Sequence, residues 1–232
     1  MEIQCLSVVM PVYNEKNTVL KIIDKVLNID MVKEIIVVDD CSGDGTRKIL
    51  EDAVLGPRVR LFYHDKNSGK GAALRTGFGH VTGDIVVIQD SDLEYDPAEF
   101  AGMIKPILDG AADVVYGSRL TGGRPQRVYM FWHKIGNTFL SFLTNLLYNS
   151  TLTDMETCYK MFRREIISGM KIRSNDFSVE PEITAKILKN KKLRVYEVPI
   201  SYYGRTYAEG KKISWKHGFG AIFALLKYRF VD

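Results

Sequence analysis

Residues 6–15 read LSVVMPVYNE, an apolar and largely β-branched run that ends in polar side chains. The length of this run and its valine content are typical of a buried strand in a parallel sheet. Four further runs of the same kind follow in the first half of the chain. The predicted strands are Leu6–Val12, Glu34–Asp39, Val59–His64, Asp84–Asp90 and Asp113–Ser118.

Helical patterns alternate with these strands. Asn17–Ile29 carries apolar residues at helical spacing, and Asn17 is a candidate helix cap. The other predicted helices of this half are Thr46–Val54, Gly71–Gly79 and Pro97–Leu108. The alternation predicts an α/β fold in which helices cover both faces of a mostly parallel sheet.

The 232-residue chain has the composition of an ordinary globular domain, with 46% hydrophobic and 26% charged residues. This composition excludes a disordered tail, a collagen-like repeat and a disulfide scaffold. The length fits one large domain or two small ones. Because we find no repeats and no low-complexity tract, we interpret residues 1–232 as one domain with two halves, 1–118 and 119–232.

The three cysteines, Cys5, Cys41 and Cys158, are odd in number and far apart, which predicts free thiols in a reducing compartment. The first 20 residues show no secretory signal, and no apolar run reaches the roughly 18 residues of a transmembrane helix. We therefore expect a cytoplasmic protein. Cys158 has no neighbouring histidine that would make it a nucleophile, so we interpret it as a structural thiol.

The second half of the chain combines amphipathic and basic segments. A loop with two arginines at 122–127 precedes an amphipathic stretch over Val128–Tyr148, and a second apolar stretch covers Phe219–Phe230. Residues 186–232 contain 11 Lys and Arg against 3 Asp and Glu, which implies an anionic partner. The apolar stripes belong either to the core or to a membrane-surface helix, and their aromatic residues favour the membrane.

Polar clusters follow three of the predicted strands, at Pro11–Glu15, Asp39–Ser42 and Asp90–Glu94. The carboxyl ends of parallel strands meet at one sheet edge, where ligands bind, so we expect these clusters to lie together. The acidic residues of the third cluster alternate as oxygen ligands of Mg²⁺ or Mn²⁺ often do. The alternative is that they are turn formers and helix caps.

Residues 67–71 read NSGKG and partly resemble a phosphate-binding Walker loop. The loop lacks the first glycine of that motif and its final Ser or Thr. Lys70 therefore either faces a phosphate or belongs to a plain solvated turn. The four histidines of the chain show no metal-ligand spacing.

Taken together, four segments resemble the inverting nucleotide-sugar glycosyltransferases of family 2, which have the GT-A fold. They are Leu6–Glu15, Val37–Thr46, Asn67–Gly77 and Asp90–Asp92. The resemblance extends from residue 6 to about residue 215. Further features resemble the polyprenyl-phosphate, or dolichyl-phosphate, branch of this family. They are Gly117–Arg119, Thr153–Lys160, and Arg205 followed by Lys211.

The resemblance implies a role for each matching position. The implied nucleotide-sugar ligands are Pro11, Tyr13, Glu15, Val38, Asp40, Lys70, Gln89, Asp90, Arg205 and Lys211. The implied metal ligands are Asp90, Asp92 and Glu94, and the implied catalytic residues are Asp90, Asp92, Arg119 and Asp154. Glu94 stands where mannosyl-transferring relatives often have glutamine, so the donor sugar and the preferred metal stay open.

Two segments of the second half have alternative interpretations. Asp154 and Glu156 lie where the family places an acidic residue near the acceptor, and they either orient or activate it or pair with nearby Lys and Arg side chains. Arg205 lies between Gly204 and Gly210, and Lys211 directly follows Gly210. We interpret this segment as a mobile lid that closes on phosphates. A solvated basic loop is the alternative.

The resemblance implies that one sugar moves from a UDP- or GDP-sugar to an undecaprenyl or dolichyl phosphate at the cytoplasmic membrane face. We expect Mg²⁺ or Mn²⁺ as cofactor, peripheral contact with the membrane surface and no nucleic-acid partner. A cation and basic side chains stabilise the leaving diphosphate, and an anionic phosphate acceptor needs no strong general base. A soluble or polysaccharide acceptor and a nucleotidyltransferase are the alternatives. A receiver-like module, suggested only by Asp39 and Asp40, leaves half the chain unexplained, and the oligomeric state stays open.

Overall fold

A computed structural model describes residues 5–128, 130–210 and 216–231. Its strands form one seven-stranded sheet in the order β3-β2-β1-β4-β6-β5-β7. The strands are β1 (Leu6–Val12), β2 (Val32–Asp39), β3 (Val59–Tyr63), β4 (Ile85–Ile88), β5 (Val114–Ser118), β6 (Lys160–Arg163) and β7 (Val195–Pro199). Only β6 runs antiparallel to its neighbours among these strands, so the predicted mostly parallel sheet is confirmed.

Helices cover both faces of the sheet, as predicted. They are α1 (Val19–Leu27), α2 (Thr46–Asp52), α3 (Lys70–Phe78), α4 (Phe100–Leu108), α5 (Phe131–Tyr148), α6 (Arg164–Ser168), α7 (Val179–Lys189) and α8 (Lys216–Phe230), with short 3₁₀ helices at Pro97–Glu99 and Tyr207–Glu209. Successive residues of a strand face opposite sides. Val8 and Met10 therefore pack with α1 and α4 in one apolar core, and Val9 packs with α3, α7 and α8 in the other.

Several predicted boundaries are wrong by a few residues. The strand predicted over Asp84–Asp90 ends at Ile88, which leaves Gln89 and Asp90 beyond its end. Helix α1 begins at Val19 rather than near Asn17, so Thr18 and not Asn17 occupies the N-cap position, without a capping hydrogen bond from its side chain. Strands β6 and β7 and helices α6 and α7 were not predicted.

Helices α5 and α8 pack against each other, and the Tyr148 hydroxyl donates to the carbonyl of Leu225 at 2.6 Å. Most of the apolar stripe on α5 faces outward, so its interpretation as core is wrong. Trp132 is 79% exposed and Phe223 on α8 is 67% exposed. The outer apolar faces consist of Phe131, Trp132, Ile135, Phe139, Phe142 and Leu146 on α5, and Phe219, Phe223, Leu226 and Phe230 on α8.

None of the helices in the described ranges has the length and apolar character needed to cross a bilayer.

Candidate active site

A cleft of about 430 Å³ lies at the carboxyl ends of the strands. Its walls include the end of β1 at Pro11–Tyr13, Asp40 after β2, the segment Asp90–Glu94 after β4, and Lys70 at the start of α3. The three polar clusters that are far apart in the sequence thus meet at one sheet edge, as the parallel topology predicts. Glu15 and the partly exposed Tyr13 also line the cleft.

Asp40 fixes the loop that leads into α3. Its carboxylate accepts hydrogen bonds from the backbone N–H groups of Ser68 at 2.9 Å and Gly69 at 2.7 Å, and it lies 2.7 Å from His64 Nδ1. Gly69 has a φ of +94°, and a Cβ there would lie 2.3 Å from the carbonyl oxygen of Asn175, so this position requires glycine. Hydrogen bonds to Asp40 therefore fix this loop in the cleft wall, and it is not a plain solvated turn.

Two residues of the predicted donor set lie beneath the cleft rather than in its wall. Val38 is fully buried in an apolar core. Gln89 is also fully buried, where it accepts a hydrogen bond from the Tyr159 hydroxyl and donates to the Asp90 carbonyl at 3.0 Å. Their side chains do not line the cleft, which differs from the predicted contact with the donor. They instead pack beneath the cleft beside Asp40 and Asp90, the residues that line it. Lys211 lies outside the described residues.

Arg205 inserts into the acidic end of the cleft. Its guanidinium lies 2.9 Å from Glu15 and 3.1 Å from Asp92. The sequence predicts that the segment around Arg205 is a mobile lid in the absence of ligand. In the structure Arg205 instead holds this segment against the carboxylates of the cleft. Burial, together with the charges of Asp90 and Glu94, raises the pKa of Asp92 to about 7, and Arg205 opposes that rise.

Glu94 holds the segment that carries Arg205. Its two carboxylate oxygens accept hydrogen bonds from the Tyr202 hydroxyl at 2.6 Å and from the Arg205 backbone N–H at 2.6 Å. The backbone N–H of Tyr203 donates to the Glu94 carbonyl at 2.9 Å. Both side-chain oxygens of Glu94 thus accept hydrogen bonds, as both oxygens of Asp92 do, so Glu94 anchors this segment in the structure and its implied role as a metal ligand stays a prediction.

A hard divalent cation fits the carboxylates of Asp90 and Asp92 at the acidic end of the cleft. Asp90 and Asp92 present only oxygen donors, which Mg²⁺ and Mn²⁺ prefer. Burial and the neighbouring negative charges raise the pKa of Asp92, so a bound cation would stabilise its ionised form. Within residues 5–128, 130–210 and 216–231, no group of three or more His, Cys, Asp or Glu side chains already stands in a metal-binding arrangement. Asp90 and Asp92 are thus the residues that would hold the cation.

We expect Glu94→Gln to loosen the segment from Tyr202 to Arg205. The amide removes the negative charge that faces Arg205 Nε at 3.7 Å, and it keeps both hydrogen bonds only if its NH₂ group donates to the Tyr202 hydroxyl, which now donates to Glu94. Backbone hydrogen exchange in this segment should accelerate about tenfold, and kcat/KM should fall about fivefold. Exposed Glu165→Gln on α6 is the matched control. Unchanged exchange in Glu94→Gln would contradict the anchoring role.

Lys70 belongs to a buried ionic cluster beneath the acidic end. Its ammonium lies 2.8 Å from Asp90 and 3.1 Å from Glu180, and it donates to the Cys158 sulfur at 3.1 Å. Lys160 pairs with the same Glu180. Burial raises the pKa of the Cys158 thiol, which agrees with a structural role. Glu180 was missed in the sequence because it lies on the unpredicted helix α7.

Arg119, which lines the cleft, and Asp154 form a bidentate ion pair. The Nε and Nη2 atoms of Arg119 each lie 2.7 Å from an Asp154 oxygen, and the Arg119 backbone N–H donates to the same carboxylate at 2.9 Å. Asp154 is fully buried and does not line the cleft, whereas Arg119 does. We therefore correct the implied catalytic Asp154 to a positioning residue for Arg119. Pairing of Asp154 with the cations Lys160, Arg163 or Arg164 is not observed.

Further basic side chains line the cleft. They are Arg127 from the 122–127 loop and Lys134 on α5. Arg127 also pairs with Glu209 at 2.7 Å, which ties this loop to the segment after Arg205. The cleft wall thus carries acidic side chains, Asp90 and Asp92, which we term its acidic end, and basic ones, Arg119, Arg127 and Lys134, which we term its basic end. The two meet at Tyr202, whose ring centroid lies 5.1 Å from the Arg119 guanidinium carbon and whose hydroxyl donates to Glu94. The role of Lys134 was missed because helical periodicity does not show which polar residues face a ligand.

The sheet order and the position of the cleft define a GT-A-type fold. The fold is similar to a crystal structure of glucosyl-3-phosphoglycerate synthase from Mycobacterium tuberculosis in complex with Mn²⁺, UDP and phosphoglyceric acid. The TM-score is 0.76 at 21% identity, and the alignment covers 99% of this chain and 80% of that chain. Another structure of that enzyme, in complex with Mg²⁺ and UDP, gives a TM-score of 0.73 at 21% identity with the same coverage.

The chain belongs to glycosyl transferase family 2, whose model matches residues 7–170. It is 27% identical to the UDP-N-acetylglucosamine–dolichyl-phosphate N-acetylglucosaminyltransferase of Methanococcus voltae, over 95% of this chain and 94% of that protein. It is 26% identical to the dolichol-phosphate mannosyltransferase of Pyrococcus furiosus, over 89% of this chain but 58% of that protein. The undecaprenyl-phosphate 4-deoxy-4-formamido-L-arabinose transferase of Edwardsiella ictaluri is also 26% identical, over 90% of this chain and 63% of that protein.

These relatives confirm the predicted family and its polyprenyl-phosphate branch, and the family establishes that the chain is a glycosyltransferase. The names of the three relatives give three different sugars. The likeness to solved structures supports the fold alone, because their identity to this chain is low.

Proposed function

We propose that this glycosyltransferase moves one sugar from a UDP- or GDP-sugar to a polyprenyl phosphate at the cytoplasmic membrane face, with inversion at the sugar. The observation that carries this proposal is that one cleft carries both acidic side chains, Asp90 and Asp92, and basic ones, Arg119, Arg127 and Lys134. A metal-held diphosphate suits the acidic side chains and an anionic acceptor suits the basic ones.

The acidic end binds the donor. Pro11, Tyr13 and Asp40 line the part of the wall formed by β1 and β2, where a base and ribose would lie. Asp90 and Asp92 would hold Mg²⁺ or Mn²⁺, which neutralises the diphosphate and stabilises it as the leaving group. Arg205 reaches the same carboxylates from the opposite wall and supplies a positive charge there, as one expects of a residue that contacts donor phosphates.

The basic end binds the acceptor phosphate. Asp154 uses the Nε and Nη2 atoms of Arg119, so the Nη1 group remains for a ligand oxygen. The phosphate oxygen is already ionised near neutral pH and attacks without a strong general base. This agrees with the position of Asp154, whose carboxylate is fully buried and committed to Arg119.

The membrane proposal rests on the apolar faces of α5 and α8. Several large apolar side chains on these helices are more than half exposed, and α5 itself contributes Lys134 to the basic end of the cleft. A helix with an exposed aromatic face lies at a bilayer surface and would bring a lipid phosphate to the cleft. The basic residues of the C-terminal segment add attraction to anionic lipids.

The deciding experiment measures where the sugar goes. Purified protein is mixed with Mn²⁺, a radiolabelled UDP- or GDP-sugar and undecaprenyl phosphate in detergent. We expect label in the organic phase and release of nucleoside diphosphate. Label confined to water-soluble product in the presence of a soluble acceptor would favour the soluble-acceptor alternative. Release of pyrophosphate would favour a nucleotidyltransferase.

We expect Phe131→Ser combined with Trp132→Ser to weaken binding to anionic liposomes at least tenfold. The two side chains are 64% and 79% exposed, and each contributes apolar area that a bilayer would bury. Sedimentation at low and high salt separates this apolar part from the electrostatic part, which salt screens. Val54→Ser combined with Leu108→Ser is the matched control, since Val54 lies in the loop after α2 and Leu108 at the end of α4, and both are exposed. Equal loss of binding in the control would contradict a specific membrane face.

A further inference from the structure

Glu156 is an unpaired acidic group in the wall of the cleft. Its Oε1 atom is buried and has no hydrogen-bond partner within the described part of the chain. Buried polar atoms in folded proteins are nearly always hydrogen-bonded, because an unsatisfied one costs about 1–3 kcal/mol. A ligand that donates a hydrogen bond would remove that cost. The sequence analysis placed Glu156 near the acceptor or beside Lys and Arg side chains, and none of the roles assigned from the structure uses it.

Glu156 lies in the chain between two residues that contact the two ends of the cleft. Asp154, two residues before it, pairs with Arg119 at 2.7 Å, and the sulfur of Cys158, two residues after it, lies 3.1 Å from Lys70, the partner of Asp90. A donor held by its diphosphate at one end and an acceptor phosphate at the other place the transferred sugar between them. Glu156 is thus at the level of the sugar.

We propose that the Glu156 carboxyl group hydrogen-bonds to a polar group of the transferred sugar and thereby contributes to the choice of donor. This inference rests on the proposed function. The partner is a hydroxyl or an amide N–H, because only such groups donate to a carboxyl oxygen. A site that hydrogen-bonds a substrate group rejects analogues that lack it, since its own polar atom is then left unpaired.

The ionisation state of Glu156 is compatible with this role. Burial raises its pKa to about 7, and the nearby positive charge of Lys160 opposes that rise. Near neutral pH the group therefore either accepts from a sugar hydroxyl or, when protonated, donates to one. Both forms satisfy a neutral sugar. A pKa near 7 also suits a general base, so the kinetic test below separates donor choice from activation of the acceptor.

The test compares binding of UDP with binding of UDP-glucose and UDP-N-acetylglucosamine, and of GDP with GDP-mannose, in the presence of Mn²⁺. For each nucleotide, the Kd of the bare nucleotide divided by the Kd of its nucleotide-sugar measures the contribution of the sugar to binding. We expect Glu156→Leu to lower that ratio about tenfold for the sugar that the wild type prefers, with the Kd for the bare nucleotide within twofold of the wild type. Glu156→Gln, which keeps a hydrogen-bonding group, should lose less. Exposed Glu51→Gln is the control.

Single-deoxy analogues of the preferred donor identify the sugar group. The wild type should lose about tenfold in affinity for one analogue, and Glu156→Leu should lose nothing further for that same analogue. An unchanged ratio of Kd values in Glu156→Leu overturns the inference. A fall in kcat with unchanged donor discrimination also overturns it, and would assign Glu156 to activation of the acceptor. A wild type that binds no nucleotide-sugar instead rejects the proposed function itself. The thermal midpoint of each variant shows that the fold is intact.

Discussion

Asp92→Asn should lower kcat/KM for sugar transfer about 10³-fold, because it removes a carboxylate that would hold the divalent cation. A cation at a developing phosphate charge contributes several kcal/mol to the transition state, which corresponds to a rate factor of this size. The wild type should likewise lose turnover in excess EDTA. Metal-dependent donor binding, measured by calorimetry with and without Mn²⁺, should disappear in the variant.

The same substitution should stabilise the ligand-free protein. Burial and the charges of Asp90 and Glu94 raise the pKa of Asp92 from 3.8 to about 7 in the folded state. The folded state thus binds this proton more tightly than the unfolded state. The stability that Asp92 contributes is fully present below a pH of about 4 and is lost as the pH rises from about 4 to about 7.

We therefore expect Asp92→Asn to unfold about 5 °C above the wild type at pH 8, with the difference shrinking towards pH 4. Thermal unfolding without added metal, at several pH values, measures this. Asp52→Asn is the control, since Asp52 is exposed and pairs only with Lys48 at 2.9 Å. Loss of activity together with a lower melting temperature at pH 8 would indicate a misfolded variant. Wild-type transfer in Asp92→Asn would show that Asp92 holds no catalytic cation.

The first half of the sheet was predictable because its strands are long, apolar runs that alternate with helices. Strands β1 and β2 are almost wholly buried, and such runs give the strongest sequence signal. Strand β6 has only four residues and runs antiparallel between β4 and β5, so neither its length nor the alternation identifies it. Strand β7 is half-buried with weak alternation, and it was missed for that reason.

The acidic edge of the site was predictable, but the partners of its residues were not. Topology alone brings Asp40, after β2, and Asp90, after β4, to the same edge of the sheet, on either side of the end of β1. The role of Glu94 depends on Tyr202 and Arg205, which lie more than 100 residues away in the sequence, and no local pattern encodes such a pairing. The pairing of Arg119 with Asp154 depends on how the loop after β5 meets the segment before β6, which periodicity does not fix.

Arg119→Lys should lower kcat/KM for the polyprenyl phosphate about 100-fold and leave the Kd for the nucleotide-sugar unchanged. Lysine keeps the charge but has no planar fork, so it cannot hold Asp154 with two hydrogen bonds while presenting a further N–H to a phosphate. Steady-state kinetics with varied acceptor, together with donor binding by calorimetry, separate the two effects. A matching loss of donor affinity would place Arg119 in the donor site instead.

Asp154→Asn should destabilise the protein as well as impair transfer. Asp154 is fully buried, and removal of one partner from a buried ion pair costs about 3–5 kcal/mol, or a fall of about 10 °C in melting temperature for a chain of this length. The double variant Arg119→Met with Asp154→Leu distinguishes positioning from mere stability. Apolar replacements of a buried pair often restore stability, so its melting temperature should recover most of the loss. Transfer to the lipid phosphate should not recover, because the guanidinium that meets the phosphate is gone. Recovery of both would show that the pair serves the fold alone and that the acceptor phosphate binds elsewhere.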